Sequence, residues 1–238
     1  MRKIIKDINS NKYEVVLENS ESLIKATKIF KNNGFVILKK SIPKYLIKKI
    51  HLELKKKVRQ NKIGNKLRDI HFFKDGTISS AHNLVNYIPS YSMLLKIPQI
   101  KKFAEEVFGE LSKKHFNSSY FAKPKKQGLE TKPHQDNAFF CMDPPQVATF
   151  WMPITFANKK NGCLYYYPKS HTFGNIKHKP EGNLGASKTI PEKFIKKVKK
   201  KYVKKYIELK LGDCVIHNSL VVHGSDANVN NIDRNAFN

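Results

Sequence analysis

A mainly β domain fronted by a layer of helices is the fold class this sequence predicts. Apolar residues recur at helical spacing in the first third, whereas from His115 onward short β-rich runs alternate with Gly, Pro, Asn and Asp. A chain of 238 residues is near the size at which a sandwich or barrel still folds as one unit. Residues 1–238 therefore read as a single domain: about 1–114 form the helical layer with the first strand, and about 115–238 the β core.

Ser20 is placed to cap a helix carrying Leu23, Ile24, Thr27 and Phe30, and Asn33-Gly34 to end it. Residues 35–38 follow as a short apolar strand. Ser41 and Pro43 open a second helix whose Ile47, Ile50, Leu54 and Val58 share a face, and a third helical pattern covers 97–108 before Gly109. Residues 119–123, 147–154, 163–168, 207–211, 214–217 and 220–223 read as strands. Between them, Phe194, Val198, Tyr202 and Tyr206 repeat every four residues, which predicts a basic amphipathic helix covering a sheet edge or pocket rim.

The net charge is +26, with lysine far ahead of arginine. Such a field could attract nucleic acid or an anionic surface. The positive charge is spread along the chain with no aromatic-interleaved basic motif, so a generally basic surface is the simpler reading and nucleic acid is not the expected partner. No apolar run is long enough for a membrane span, and MRKIIKDINSNKY lacks the apolar core of a secretory signal. Cys141, Cys163 and Cys214 are isolated and odd in number, which suits a reducing compartment and predicts a cytoplasmic protein.

The stretch TKPHQDNAFF holds His134 and Asp136 at H-x-D spacing. Chance alone gives roughly 0.3 such pairs in a chain of this composition, so structural context decides its meaning. On an extended backbone, i and i+2 side chains point the same way and could hold one ion. Pro133 disfavours helix just before this point. His51-Leu-Glu53 has the same spacing but lies in a helical pattern, where i and i+2 do not face each other, and is rejected. Four histidines follow: His171, His178, His217 and His223. His223 is the preferred third ligand because it ends an apolar run and precedes Gly224-Ser225; His217 is its rival. Two His and one Asp leave three positions open on an octahedral ion, the facial triad of non-haem Fe(II) oxygenases, whereas a closed structural zinc site wants a fourth ligand. Arg234 is the single arginine in the last 160 residues, and its planar fork suits a carboxylate as lysine's point charge does not.

Five segments, in order, resemble the phytanoyl-CoA dioxygenase family: GFVILKKSIPKYLIKKIHLEL, IPQIKKFAEEVFG, KPKKQGLETKPHQDNAF, VATFWMPITFANKKNGCLYYYPKSH and ELKLGDCVIHNSLVVHGSDANVNNIDRNAF. The match covers about residues 20–238. It implies a double-stranded β-helix, or jelly roll, with helices packed on one sheet, and the use of Fe(II), 2-oxoglutarate and O₂. By position, it implies that His134, Asp136 and His223 hold iron and that Arg234, with Ser225 nearby, receives the distal carboxylate of 2-oxoglutarate. Trp151 matches a tryptophan lining the co-substrate pocket, and Thr149 should share its face. The implied reaction converts 2-oxoglutarate to succinate and CO₂ and hydroxylates a small organic substrate, for which an anionic compound is a candidate. Asn137, Phe121 and Phe139 are substrate-contact candidates by closeness in sequence alone.

Two departures from the family pattern stand out. Lys169 occupies the glycine position of P-G-S-H, so that turn is expected to differ. Relatives continue the final strand beyond the point reached four residues after Arg234, so the expectation is either that Arg234 is held loosely or that the sequence is truncated there. Asp136 stands where related halogenases have a small residue, which favours hydroxylation. Two alternatives remain: a metal- or ligand-binding jelly roll without catalysis, since fold does not guarantee activity, and a nucleic-acid-directed oxygenase of the same chemistry.

Overall fold

The computed structural model describes residues 10–60, 70–113, 117–183 and 186–238; His115 and the first nine residues of MRKIIKDINSNKY lie outside them. In chain order the elements are β1 (Glu14–Val15), α1 (Ser20–Asn33), β2 (Phe35–Leu38), α2 (Lys44–Arg59), β3 (Ile70–Phe72), β4 (Ile78–Ala81), α3 (Pro98–Phe108), β5 (Tyr120–Lys123) and β6 (Thr131–His134). There follow α4 (Asn137–Phe140), β7 (Ala148–Pro153), β8 (Leu164–Tyr166), β9 (Lys179–Asn183), β10 (Ala186–Thr189), α5 (Glu192–Lys201), β11 (Lys205–Tyr206), β12 (Cys214–Asn218), β13 (His223–Ser225) and β14 (Arg234–Phe237). Eight strands form a major sheet in the order β1-β2-β12-β7-β14-β5-β4-β3, and four form a smaller one, β11-β8-β13-β6. This is a jelly roll. The N-terminal part supplies β1 to β4, four strands of the major sheet where one was expected.

Strand alternation divides the core. Phe35 and Ile37 of β2 point inward to meet Trp151, Tyr166, Val215 and Ala236 between the sheets. Val36 and Leu38 point outward, where Phe30 of α1, Ile47 and Ile50 of α2 and Phe103 of α3 cover them. Burial on both faces explains why β2 reads as an unbroken apolar run and not as an alternating one.

Asn19, and not Ser20, caps α1: its side chain accepts from the Ser22 amide, while Ser22 Oγ accepts from the Asn19 amide. Ile24 faces solvent, and Ala26, Thr27 and Phe30 make the buried stripe. The rejected pair on α2 is indeed split, with His51 stacked on Tyr120 and Glu53 accepting from Ser90 Oγ. The helix expected to reach Tyr206 ends at Lys201, and Tyr206 lies in β11. A four-residue step overshoots the helical repeat by about 40° each time, so the stripe precesses off one face. Ile195 and Val198 do the packing, against Tyr165, Tyr167 and Val222, while Phe194 is exposed.

Two other expected strands are not formed. Residues 207–211 make only isolated bridges, such as Ala157 with Leu209, and Leu220–Val222 turn before β13 opens at His223. Lys169 itself takes the left-handed conformation, φ 71°, at the position where the family pattern has glycine.

Candidate metal centre and its anion pocket

His134 is the last residue of β6 and sits directly across from His223 of β13, their rings 4.3 Å apart. The extended backbone expected through Asp136 stops earlier: Asp136 has φ −61° and ψ −30° at the entry to α4. It still returns to the side of His134 because Gln135, between them, is pinned the other way. Gln135 donates to the carbonyls of Gly174 and Leu220 and accepts from the Ile176 amide.

Asp136 Oδ1 lies 3.6 Å from His134 Nε2 and 3.4 Å from His223 Nε2. One donor atom from each of the three residues falls within 4.8 Å of the others. Both rings approach a backbone carbonyl through Nδ1, His134 at 2.8 Å from Lys132 and His223 at 3.1 Å from Val221. With the proton on Nδ1, each Nε2 lone pair is directed into the cluster, as a metal ligand requires. Burial and the neighbouring His134 hold the His223 pKa well below the imidazole range, so His223 stays neutral. Burial alone would raise the Asp136 pKa, but the surrounding histidines outweigh it and hold the carboxyl well below its usual range. Two imidazole nitrogens and one carboxylate are the donor set of an open N₂O site.

His217, the rival, is not the third corner. Its Nε2 lies 2.9 Å from Asp136 Oδ2, the oxygen turned away from His134 and His223. Thr149 does share an inward face with Trp151, yet its hydroxyl donates to the same Oδ2 at 2.5 Å.

Two residues along β13 from His223, Ser225 meets a pair of buried basic side chains. Arg234 opens β14, which is hydrogen-bonded between β5 and β7, so this side chain is firmly placed and buried, contrary to the loose anchoring expected. Its guanidinium carbon lies 5.6 Å from the Trp151 ring centre, and its Nε has no hydrogen-bond partner. Lys123 pairs with Arg234 in register and is equally buried. Its Nζ donates to Ser225 Oγ at 2.6 Å and to the Asp226 carbonyl at 2.8 Å. Burial, with Arg234 beside it, lowers the Lys123 pKa to about 6. Neither cation has an ion pair among the described residues, and an orphaned guanidinium nitrogen beside a second buried cation fits an incoming carboxylate. Lys123 escaped the reading of the sequence because it stands in a lysine-rich segment; strand alternation across residues 119–123 was the only signal.

The substrate-contact candidates separate. Phe139 is 39% exposed and stands edge-on to His134 at 5.7 Å, forming a rim to the centre. Phe121 lies two residues before Lys123 on β5, against His82. Asn137 is buried and spends its amide on Asn175 and Met142.

Gly224 lets the strand of His223 approach its neighbours closely. A Cβ there would come within 2.6 Å of both the Thr131 carbonyl and the Tyr165 hydroxyl. Gly224→Ala is therefore expected to push β13 from β6, costing about 1–3 kcal/mol and weakening Co(II) binding. Thermal melts and a Co(II) titration check both effects.

The phytanoyl-CoA dioxygenase (PhyH) family profile matches residues 30–236. Phytanoyl-CoA dioxygenase 1 of Oryza sativa subsp. japonica is 29% identical over 70% of this chain and 60% of its own length. The peroxisomal phytanoyl-CoA dioxygenase of Homo sapiens is 24% identical over 91% of this chain and 67% of its own. The chain thus spans about three fifths of the rice relative. Among solved structures, EctD from S. alaskensis with 2-oxoglutarate and 5-hydroxyectoine superimposes with a TM-score of 0.70 at 16% identity, over 93% of this chain and 75% of that one. With the jelly roll, the His-Asp-His cluster and this match in hand, the chain belongs to the phytanoyl-CoA dioxygenase family.

Proposed function

We propose that this protein is an Fe(II)- and 2-oxoglutarate-dependent dioxygenase that hydroxylates a small organic substrate, with residues 1–238 as one catalytic domain. The observation that carries this reading is the closeness of two groups along one strand: a buried His-Asp-His cluster and, where Ser225 follows His223 on β13, two buried basic side chains, Lys123 and Arg234, with no ion pair among the described residues. A metal-binding barrel without catalysis has no need of the second. Neighbours of the same fold include structures with bound Fe and with 2-oxoglutarate, which supports the same pairing of ligands.

His134, Asp136 and His223 would hold the metal, and bound Fe(II) with O₂ would supply the oxidising power that side chains lack. Arg234 and Lys123 would neutralise the distal carboxylate of 2-oxoglutarate, with Ser225 bridging to it and Trp151 walling the pocket. Phe121 and Phe139 would border the substrate. Tyr166, fully buried and stacked on His223, would keep water from that side of the cluster. Among the described residues no helix is long and apolar enough to cross a membrane. Three free cysteines are in keeping with a reducing compartment such as the cytoplasm.

Anaerobic addition of 2-oxoglutarate to the Fe(II)-loaded protein tests the reading. A visible charge-transfer band of a chelated keto acid, followed by succinate release on admitting O₂, is expected. Absence of both would remove it.

Lys123 adds a pH signature. Its pKa near 6 makes it largely neutral at pH 7.5, and an arriving carboxylate favours the charged form. Binding of 2-oxoglutarate should therefore take up a proton above pH 6, and affinity should fall as pH rises from 6 to 8. Calorimetry in buffers of different ionisation enthalpy checks the uptake, and Lys123→Met should abolish it.

A further inference from the structure

His217 is buried, lies beside the metal cluster and is not one of its corners. Its ring is held from both ends. Nδ1 lies 2.9 Å from the hydroxyl of Tyr166, a residue of β8 that is itself fully buried. A phenol is a ready donor to an imidazole nitrogen, and that bond leaves the ring proton on Nε2. Nε2 lies 2.9 Å from Asp136 Oδ2, so the N–H donates to the carboxylate. Thr149 stands opposite His217 in the β7–β12 register and donates to the same oxygen. Oδ2 thus receives two donors from two strands, while Oδ1 alone faces His134 and His223.

We infer that His217, set by Tyr166 and assisted by Thr149, is a positioning residue that restricts Asp136 to a one-oxygen ligand. The inference rests on the oxygenase reading for its consequence. A keto acid chelating through two atoms, together with O₂, needs three free positions on an octahedral ion. An unrestrained carboxylate can turn and bind through both oxygens, closing one of them. Held as it is, Asp136 leaves all three open.

The test uses His217→Leu, which removes the donor at similar volume, and His217→Gln, which keeps an N–H on a side chain of comparable reach. Thr149→Val removes the second donor and serves if the leucine variant fails to fold. Each is titrated with Co(II), whose visible bands respond to the identity and arrangement of its ligands, and then anaerobically with Fe(II) and 2-oxoglutarate. In His217→Leu, Co(II) should remain bound with shifted visible bands, and 2-oxoglutarate affinity should fall about tenfold or more, the scale seen when a group supporting a metal ligand is lost. His217→Gln should recover most of both. An unchanged Co(II) spectrum in the variants lacking a donor, or equal losses in His217→Leu and His217→Gln, overturns the inference and leaves His217 a space-filling core residue. If wild type shows no charge-transfer band, the oxygenase reading fails instead, and the Co(II) spectra alone judge the restraint on Asp136.

Discussion

Asp136→Ala is expected to lower Fe(II) affinity by at least about a hundredfold and to abolish 2-oxoglutarate turnover. That is the upper end of what loss of a group merely supporting a ligand produces, and Asp136 is the ligand itself. It is also the carboxylate that His134, His217 and His223 all approach, so its removal leaves a bound ion with imidazoles alone. Metal content after dialysis and a Co(II) titration measure the loss. A variant that keeps metal at wild-type affinity would show that the cluster is not the binding site. The same carboxylate has a stability signature in metal-free protein. Its folded pKa is depressed, so its contribution is complete above the unfolded value of about 3.9 and is lost as pH falls below it. Asp136→Ala should therefore flatten the acid limb of the unfolding profile.

Arg234→Ala is expected to weaken 2-oxoglutarate binding strongly and leave Co(II) affinity near wild type. Loss of one partner of a desolvated, charge-assisted pair costs about 2–5 kcal/mol, or roughly thirty-fold or more in affinity. Arg234→Lys should recover only part, because a point charge does not reproduce the two parallel hydrogen bonds of the fork. An exposed arginine at a frayed strand would predict less than about 0.5 kcal/mol for either change. The buried position between β5 and β7 argues for the larger figure. Anaerobic dissociation constants for the three proteins decide; similar values would sever Arg234 from the co-substrate.

Residue chemistry and spacing already marked much of this protein. Apolar periodicity located α1, α2 and α3 to within a residue or two, because a helix needs only local contacts and a one-sided stripe. His134, Asp136 and His223 were legible as a candidate triad, since few other residues combine ligand chemistry with positions near strand ends and a glycine. Arg234 stood out for its rarity in a lysine-rich chain, and that same lysine richness hid Lys123. The tertiary structure decided what local pattern does not encode. Register across β5 and β14 sets Lys123 beside Arg234, and register across β7 and β12 sets Thr149 beside His217. Both pairs join residues more than sixty positions apart, 111 and 68 by residue number, so only the closing of the sheets could reveal them. Asp136 likewise departs from the strand that its spacing suggested. Its direction is imposed by the buried bonds of Gln135 to distant loops, long-range contacts that the H-x-D spacing does not encode.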